Sequence, residues 1–218
     1  MMQNLEVVLV HGLWHQPAHF DRLADDLRGQ GVLVHVPRLH RGSLSADTAA
    51  VQATVDGCGT EPVVVGHSYG GSVITGLERV RHLFYIAAFV PAAAESCAQL
   101  GGPGALVNDV VQHHEDGTSS IRQDRAREVL YADCTQAQSN WATALLVPQQ
   151  PGHGRGTPAR IAWQTVESTY LLSEQDRALS PALQERMSRR CTNTISLASS
   201  HSPFVSRSRQ LAGLIVGT

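Results

Sequence analysis

Three side chains, far apart in this 218-residue chain, have the types that acyl transfer by nucleophilic catalysis requires. Ser68 sits in Gly66-His67-Ser68-Tyr69-Gly70, Asp176 closes Ser173-Glu174-Gln175-Asp176, and His201 closes Ser199-Ser200-His201. A neutral hydroxyl is a weak nucleophile. A histidine that takes its proton, oriented by a carboxylate, makes it a competent one. Ser68 carries the strongest local signal. The apolar run Pro62-Val63-Val64-Val65 reads as a strand, and Ser72, Val73, Ile74, Thr75 and Leu77 let a helix follow at once. A strand feeding straight into a helix forces a strained turn that exposes its central residue, and flanking glycines avoid backbone collisions there. With 19 glycines in the chain, the pentapeptide alone says little; its place between strand and helix is the informative part.

His201 follows a strand-like Thr194-Ile195-Ser196-Leu197 and precedes an amphipathic pattern, Phe204, Val205, Leu211, Leu214 and Ile215; of 11 histidines it alone follows the last strand. Asp176 comes after Tyr170-Leu171-Leu172 and before a helix that starts at Ser180-Pro181. Glu174, two residues earlier, and Glu95, after the segment Phe84 to Ala88, are alternative carboxylates. Near the N-terminus the strand Leu5 to Val10 runs into His11-Gly12-Leu13-Trp14, a loop able to aim a backbone N–H at the serine. His11, His15 and His19 have the spacing of a metal-binding helix face, but His11 precedes Gly12 at a strand end, so the three cannot share one helix. His113-His114 lacks a partner at ligand spacing, and neither metal nor other cofactor is expected.

These residues need a frame. Strands are expected near Leu5 to Val10, Val32 to Val36, Pro62 to Gly66, His82 to Ala87, Ser168 to Leu172 and Thr192 to Leu197. Helices are expected near Pro17 to Arg28, Ala46 to Val55, Tyr69 to Leu77, Pro181 to Arg190 and Pro203 to Ile215. The alternation implies a parallel sheet covered on both faces, with ligands outside the carboxyl ends of its strands. From Pro91 to Gln164 the alternation stops, and this stretch reads as a lid. Within it Asp109 to Ile121 suggests a hairpin around Glu115-Asp116-Gly117, and Arg125 to Gln138 and Ser139 to Val147 suggest helices. Trp14 beside the loop, and Trp141 and Leu145 in the lid, are candidate substrate-pocket residues.

The length suits one domain, residues 1–218, with the lid inserted at about 91–164. A formal charge of −2 leaves no basic footprint for nucleic acid or a membrane surface, so a small molecule is the expected partner; nothing bears on oligomeric state. Met1-Met2-Gln3-Asn4 lacks a positive region and enters a strand at once, so a cytoplasmic protein is expected. Cys58, Cys97, Cys134 and Cys191 show no Cys-x-x-Cys spacing and suggest reduced thiols. All 17 basic residues are arginine, which excludes Schiff-base chemistry within the chain and hints at a GC-rich bacterial genome.

The Val-His-Gly loop at 10–12, the elbow at 66–70, the Asp176-x-x-x-x-Pro181 turn and the His201 turn together resemble the α/β-hydrolase superfamily, in the branch of plant methyl-ester esterases and hydroxynitrile lyases. The resemblance spans nearly the whole chain. It implies the reduced form of that α/β fold: about six mostly parallel strands, helices on both faces and a helical lid. It also implies a serine esterase with the triad Ser68, Asp176 and His201 in the order this fold uses. The backbone N–H groups of Leu13 and Tyr69 would form the oxyanion hole, each such donor worth about 3 kcal/mol. Esters, lactones and thioesters share the acyl-enzyme route, so the substrate would be one of these. The lyases of the branch carry a threonine in the oxyanion loop and a lysine after the catalytic histidine; here Gly12 and Ser202 occupy those positions, which favours hydrolysis. Non-catalytic small-molecule-binding members usually lose a triad residue, and this chain keeps all three.

Overall fold

The computed structural model describes residues 5–39 and 42–218; the reading of Met1 to Asn4 lies outside them. Six strands form one parallel sheet, β1 (Glu6–Val10), β2 (Leu33–His35), β3 (Val63–His67), β4 (His82–Ile86), β7 (Ser168–Ser173) and β8 (Asn193–Leu197), in the order β2-β1-β3-β4-β7-β8. Between β4 and β7 lies an insertion holding the antiparallel hairpin β5 (Val111–His113) and β6 (Ser119–Ile121).

Alternation along the strands builds two cores. Val7, Leu9, Val63, Val65, Phe84 and Ile86 face one side, where α1 (Asp21–Arg28), α8 (Pro203–Ser206) and α9 (Ser208–Val216) supply Leu23, Leu27, Phe204, Leu211 and Ile215. Val8, Val10, Val64, Leu83 and Tyr85 face the other, where α2 (Leu44–Asp56), α3 (Gly70–Thr75) and α7 (Pro181–Ser188) supply Val51, Val55, Val73, Ile74, Leu183 and Met187. Strands buried on both faces read as continuous apolar runs, which is why Val63 to Val65 was visible as a strand. The chain runs from β1 outward to β2, then crosses back to β3 on the other side of β1. The direction of winding therefore reverses at β1, and the carboxyl ends of β1 and β3 flank the crevice where such sheets bind ligands.

The insertion also holds α4 (Cys97–Gly101), α5 (Gln123–Leu130) and α6 (Gln136–Ala144). The hairpin forms as its Asp-Gly pair suggests, with Gly117 at φ 81°. The helix expected from Arg125 to Gln138 is instead split. It ends at Leu130, and α6 restarts at Gln136 because Thr135 caps it: the Thr135 hydroxyl accepts from the Gln138 N–H while the Gln138 side chain accepts from the Thr135 N–H. The expected C-terminal helix likewise breaks at Arg207, and the expected Pro17 helix begins as a 3₁₀ turn, Pro17–Phe20. Among the described residues no helix is long and apolar enough to cross a membrane.

Candidate active site

Ser68 occupies the turn between β3 and α3 with φ 53°, a left-handed conformation unusual for a residue bearing a side chain. Its carbonyl accepts from the N–H groups of Gly71 and Phe89, both at 3.0 Å, which hold the strained turn in place. The turn is so tight that a Cβ at Gly70 would lie 2.5 Å from the Val10 carbonyl oxygen, and one at Gly66 would lie 2.7 Å from the Gly70 carbonyl oxygen. Glycine at both positions is a packing requirement, because the elbow rests directly on the end of β1.

His201 follows β8 and Asp176 follows β7; both are buried. The His201 Nδ1–H donates to Asp176 Oδ2 at 2.7 Å. Asp176 is held at both oxygens. Oδ1 accepts from the N–H groups of Ala178 (2.7 Å) and Leu179 (2.9 Å), and Oδ2 also accepts from Gln184 Nε2 at 2.9 Å. Bonds to charged acceptors are the strong ones, so the carboxylate can neither turn away nor pick another partner without losing several of them. Glu174 is exposed, and Glu95 is committed to Arg190 and to the Ala92 N–H. Neither alternative carboxylate meets His201.

Leu13 and Tyr69 stand at the carboxyl ends of β1 and β3. Among the described residues, neither backbone N–H donates to a protein acceptor. The Tyr69 hydroxyl is tied to Asp47 Oδ2 at 3.0 Å, which anchors the side chain behind the turn; burial and the neighbouring carboxylate push its phenol pKa far up. Gly12 brings the loop after β1 against the elbow, where a Cβ would lie 2.9 Å from the Ser68 Cβ. A side chain at 12 would push on the serine.

Ser68 and His201 open onto one cavity of about 200 Å³, lined also by Leu13, Trp14, Phe89 and Leu179 and, from the insertion, by Ala98, Gly101, Ala105, Val107 and Leu130. Among the described residues its wall contains no Asp, Glu or Arg side chain; Asn108, His15, Ser68 and His201 are the polar members. Trp14 lies on this wall. Trp141 and Leu145 do not: α6 turns the Trp141 ring toward His19 and under the Arg22 guanidinium, 5.6 Å from the ring centroid, and the Leu145 carbonyl accepts from Gln16 Nε2. Trp141 thus packs beside the 3₁₀ turn and Arg22, whereas the insertion's share of the cavity wall comes from α4, the segment after it and Leu130. Those small residues, Ala98, Gly101 and Ala105, gave no sequence signal, because alanine and glycine in a loop-rich stretch carry no periodicity.

The sequence also missed a file of buried imidazoles behind the site. Ring centroids are 4.6 Å apart for His201 and His67, 5.1 Å for His67 and His15, and 4.5 Å for His15 and His19. The His67 Nε2–H donates to the His201 backbone carbonyl at 3.0 Å, so the residue before Ser68 also braces the loop carrying His201. Burial first, then neighbouring imidazoles, drive the pKa of His15 and of His67 well below the ordinary 6.5; burial lowers His19 to about 4. His11 Nε2 accepts the Leu39 N–H, and its imidazole is among the neighbours that lower the His67 pKa. Among the described residues, metal-ligand side-chain types converge at Glu6, His35 and Cys58, at the opposite end of the sheet. There the Glu6 carboxylate already accepts from His35 Nε2–H and from the Thr60 N–H, each at 3.0 Å.

The model of the alpha/beta hydrolase family matches residues 7–214. An alpha/beta hydrolase of Aspergillus novofumigatus is 30% identical over 209 residues, covering 84% of this chain and 82% of that protein. A pyrethroid hydrolase of Sphingobium wenxiniae is 26% identical over 255 residues, covering 98% of this chain and 87% of that protein. The crystal structure of a pyrethroid hydrolase from Sphingobium faniae superposes with a TM-score of 0.86 at 23% identity, over 99% of this chain and 97% of that one.

Proposed function

Because this chain belongs to the alpha/beta hydrolase family, we propose that it is a serine esterase that cleaves an uncharged carboxylic ester through an acyl-Ser68 intermediate. The observation that carries the reading is the joint placement of a left-handed Ser68 and an Asp176-bound His201 on the wall of one apolar cavity.

With Nδ1 committed to Asp176, His201 has Nε2 left as the ring nitrogen to take the Ser68 proton. The Ser68 oxygen then attacks the ester carbonyl. The charge that develops on the carbonyl oxygen is met by the backbone N–H groups of Leu13 and Tyr69, and the imidazolium formed on His201 is stabilised by Asp176. The imidazolium returns its proton to the departing alkoxide, leaving the acyl group on Ser68. Water, activated by the same His201, releases the acid and restores the serine.

Among the described residues the wall offers no Asp, Glu or Arg to pair with a charged acyl or alcohol group, and leaving such a charge unpaired in an apolar cavity is costly. Uncharged, apolar substrates are therefore favoured, and the Sphingobium wenxiniae relative is a pyrethroid hydrolase. Residues 91–164 act as a lid in this reading, since α4, Gly102, Ala105, Val107, Asn108, Leu130 and Gly154 supply about half the wall. A series of p-nitrophenyl esters of graded acyl length, run with the unmodified protein and with Ser68→Ala, tests the proposal. Turnover should peak at an apolar acyl chain and vanish in the variant; retained turnover in Ser68→Ala would refute it.

A further inference from the structure

We propose that Tyr131 and His15 are a positioning pair through which the insertion fixes the oxyanion loop. The inference rests on the esterase reading above. Trp14 adopts φ 60°, and a left-handed backbone in a bulky residue costs on the order of 1–3 kcal/mol unless its surroundings enforce it. Residues 12–16 are therefore not self-supporting, and the insertion supplies what holds them. The Val147 N–H donates to the Trp14 carbonyl at 2.9 Å, Trp14 Nε1–H donates to Ser119 Oγ at 3.1 Å, and Gln16 Nε2 donates to the Leu145 carbonyl at 2.7 Å.

One link acts on the Leu13 residue itself. His15 Nδ1 lies 2.9 Å from the Leu13 carbonyl oxygen, and His15 Nε2 lies 3.1 Å from the Tyr131 hydroxyl. A carbonyl can only accept, so the neutral imidazole carries its proton on Nδ1; Nε2 must then accept, and the Tyr131 O–H donates. A single tautomer satisfies both bonds, and both side chains are buried. Tyr131 caps the end of α5, so the order runs from the insertion through Tyr131 and His15 to the Leu13 carbonyl, and thence to the orientation of the Leu13 N–H. The Leu13 carbonyl selects the Nδ1–H tautomer, and the Tyr131 hydroxyl holds the ring at its other nitrogen; without that hydroxyl the buried Nε2 loses its donor, the ring is held at one end only, and its grip on the Leu13 carbonyl loosens.

Because the oxyanion exists only after attack, loss of this support should lower kcat and leave KM nearly alone. With p-nitrophenyl butyrate, Tyr131→Phe is expected to lower kcat about 10-fold with KM changed by less than about twofold, and His15→Leu to lower it about 100-fold. His15→Asn, whose amide can still donate to the Leu13 carbonyl, should recover most of the His15→Leu loss. Thermal unfolding of each variant separates a folding defect from a loosened loop, and ¹⁵N spectra of the imidazoles should place the His15 proton on Nδ1. A wild-type kcat in Tyr131→Phe, equal losses in His15→Asn and His15→Leu, or a proton on Nε2 would overturn the proposal. Full turnover by Ser68→Ala would instead strike the esterase reading beneath it.

Discussion

Acidification should unfold this protein at pH values where most of its carboxylates are still ionised, because His15, His19 and His67 are buried as neutral rings. Their pKa values lie below the ordinary 6.5 in the folded state, burial being the main cause. The unfolded chain titrates near 6.5, so below that pH it binds protons that the folded chain refuses, and stability falls as pH falls. The contribution is fully present above pH 6.5 and is lost downward until each folded ring protonates. For His19 the gap between 6.5 and about 4, at about 1.4 kcal/mol per pH unit, amounts to about 3–4 kcal/mol. At pH 5 the His19 ring alone costs roughly 2 kcal/mol, a sizeable part of the 5–15 kcal/mol typical of a whole domain, and His15 and His67 act in the same direction. Urea midpoints measured from pH 8 to pH 5 should fall steeply below pH 6.5, and His19→Gln should flatten the slope by about one proton. A midpoint unchanged between pH 7 and pH 5, or an identical slope in the variant, would refute the reasoning.

Asp176→Asn should lower kcat by about 10⁴, since the amide no longer selects the imidazole tautomer, while the circular dichroism spectrum stays that of the unmodified protein. Gly70→Ala should abolish activity and lower the urea midpoint, because the added Cβ would meet the Val10 carbonyl oxygen at 2.5 Å. Ala98→Phe should cut kcat/KM for octanoate esters by more than about 10-fold and leave acetate within about threefold, because the cavity holds only about 200 Å³. Trp141→Ala, outside that cavity, should lower the melting temperature without changing the preferred acyl length; a changed preference would mean α6 reaches the substrate. Mandelonitrile should yield no cyanide, since Gly12 and Ser202 supply neither hydroxyl in the oxyanion loop nor positive charge beside His201.

The central strands were legible because both faces of the sheet are covered there, which leaves runs such as Val63-Val64-Val65 no room for polar residues. The elbow was legible because Gly66 and Gly70 are demanded by contacts under 3 Å. The hairpin announced itself through Asp116-Gly117. The insertion was harder to read. Its helix break at Tyr131 to Thr135 depends on a capping box inside a stretch that is helical by propensity. Trp141 looked like a pocket residue because large apolar side chains signal burial without saying against what, and it packs toward α1. The imidazole file could not be seen at all, because it joins residues from β3, the loops after β1 and β8, and the start of the turn before α1.

The most direct test is to quench the reaction of the protein with p-nitrophenyl acetate in acid and locate the acetyl group by peptide mass spectrometry. The account requires a single acetyl on Ser68, which should be absent in Ser68→Ala. Acetyl on another residue, or hydrolysis that continues in Ser68→Ala, would contradict it.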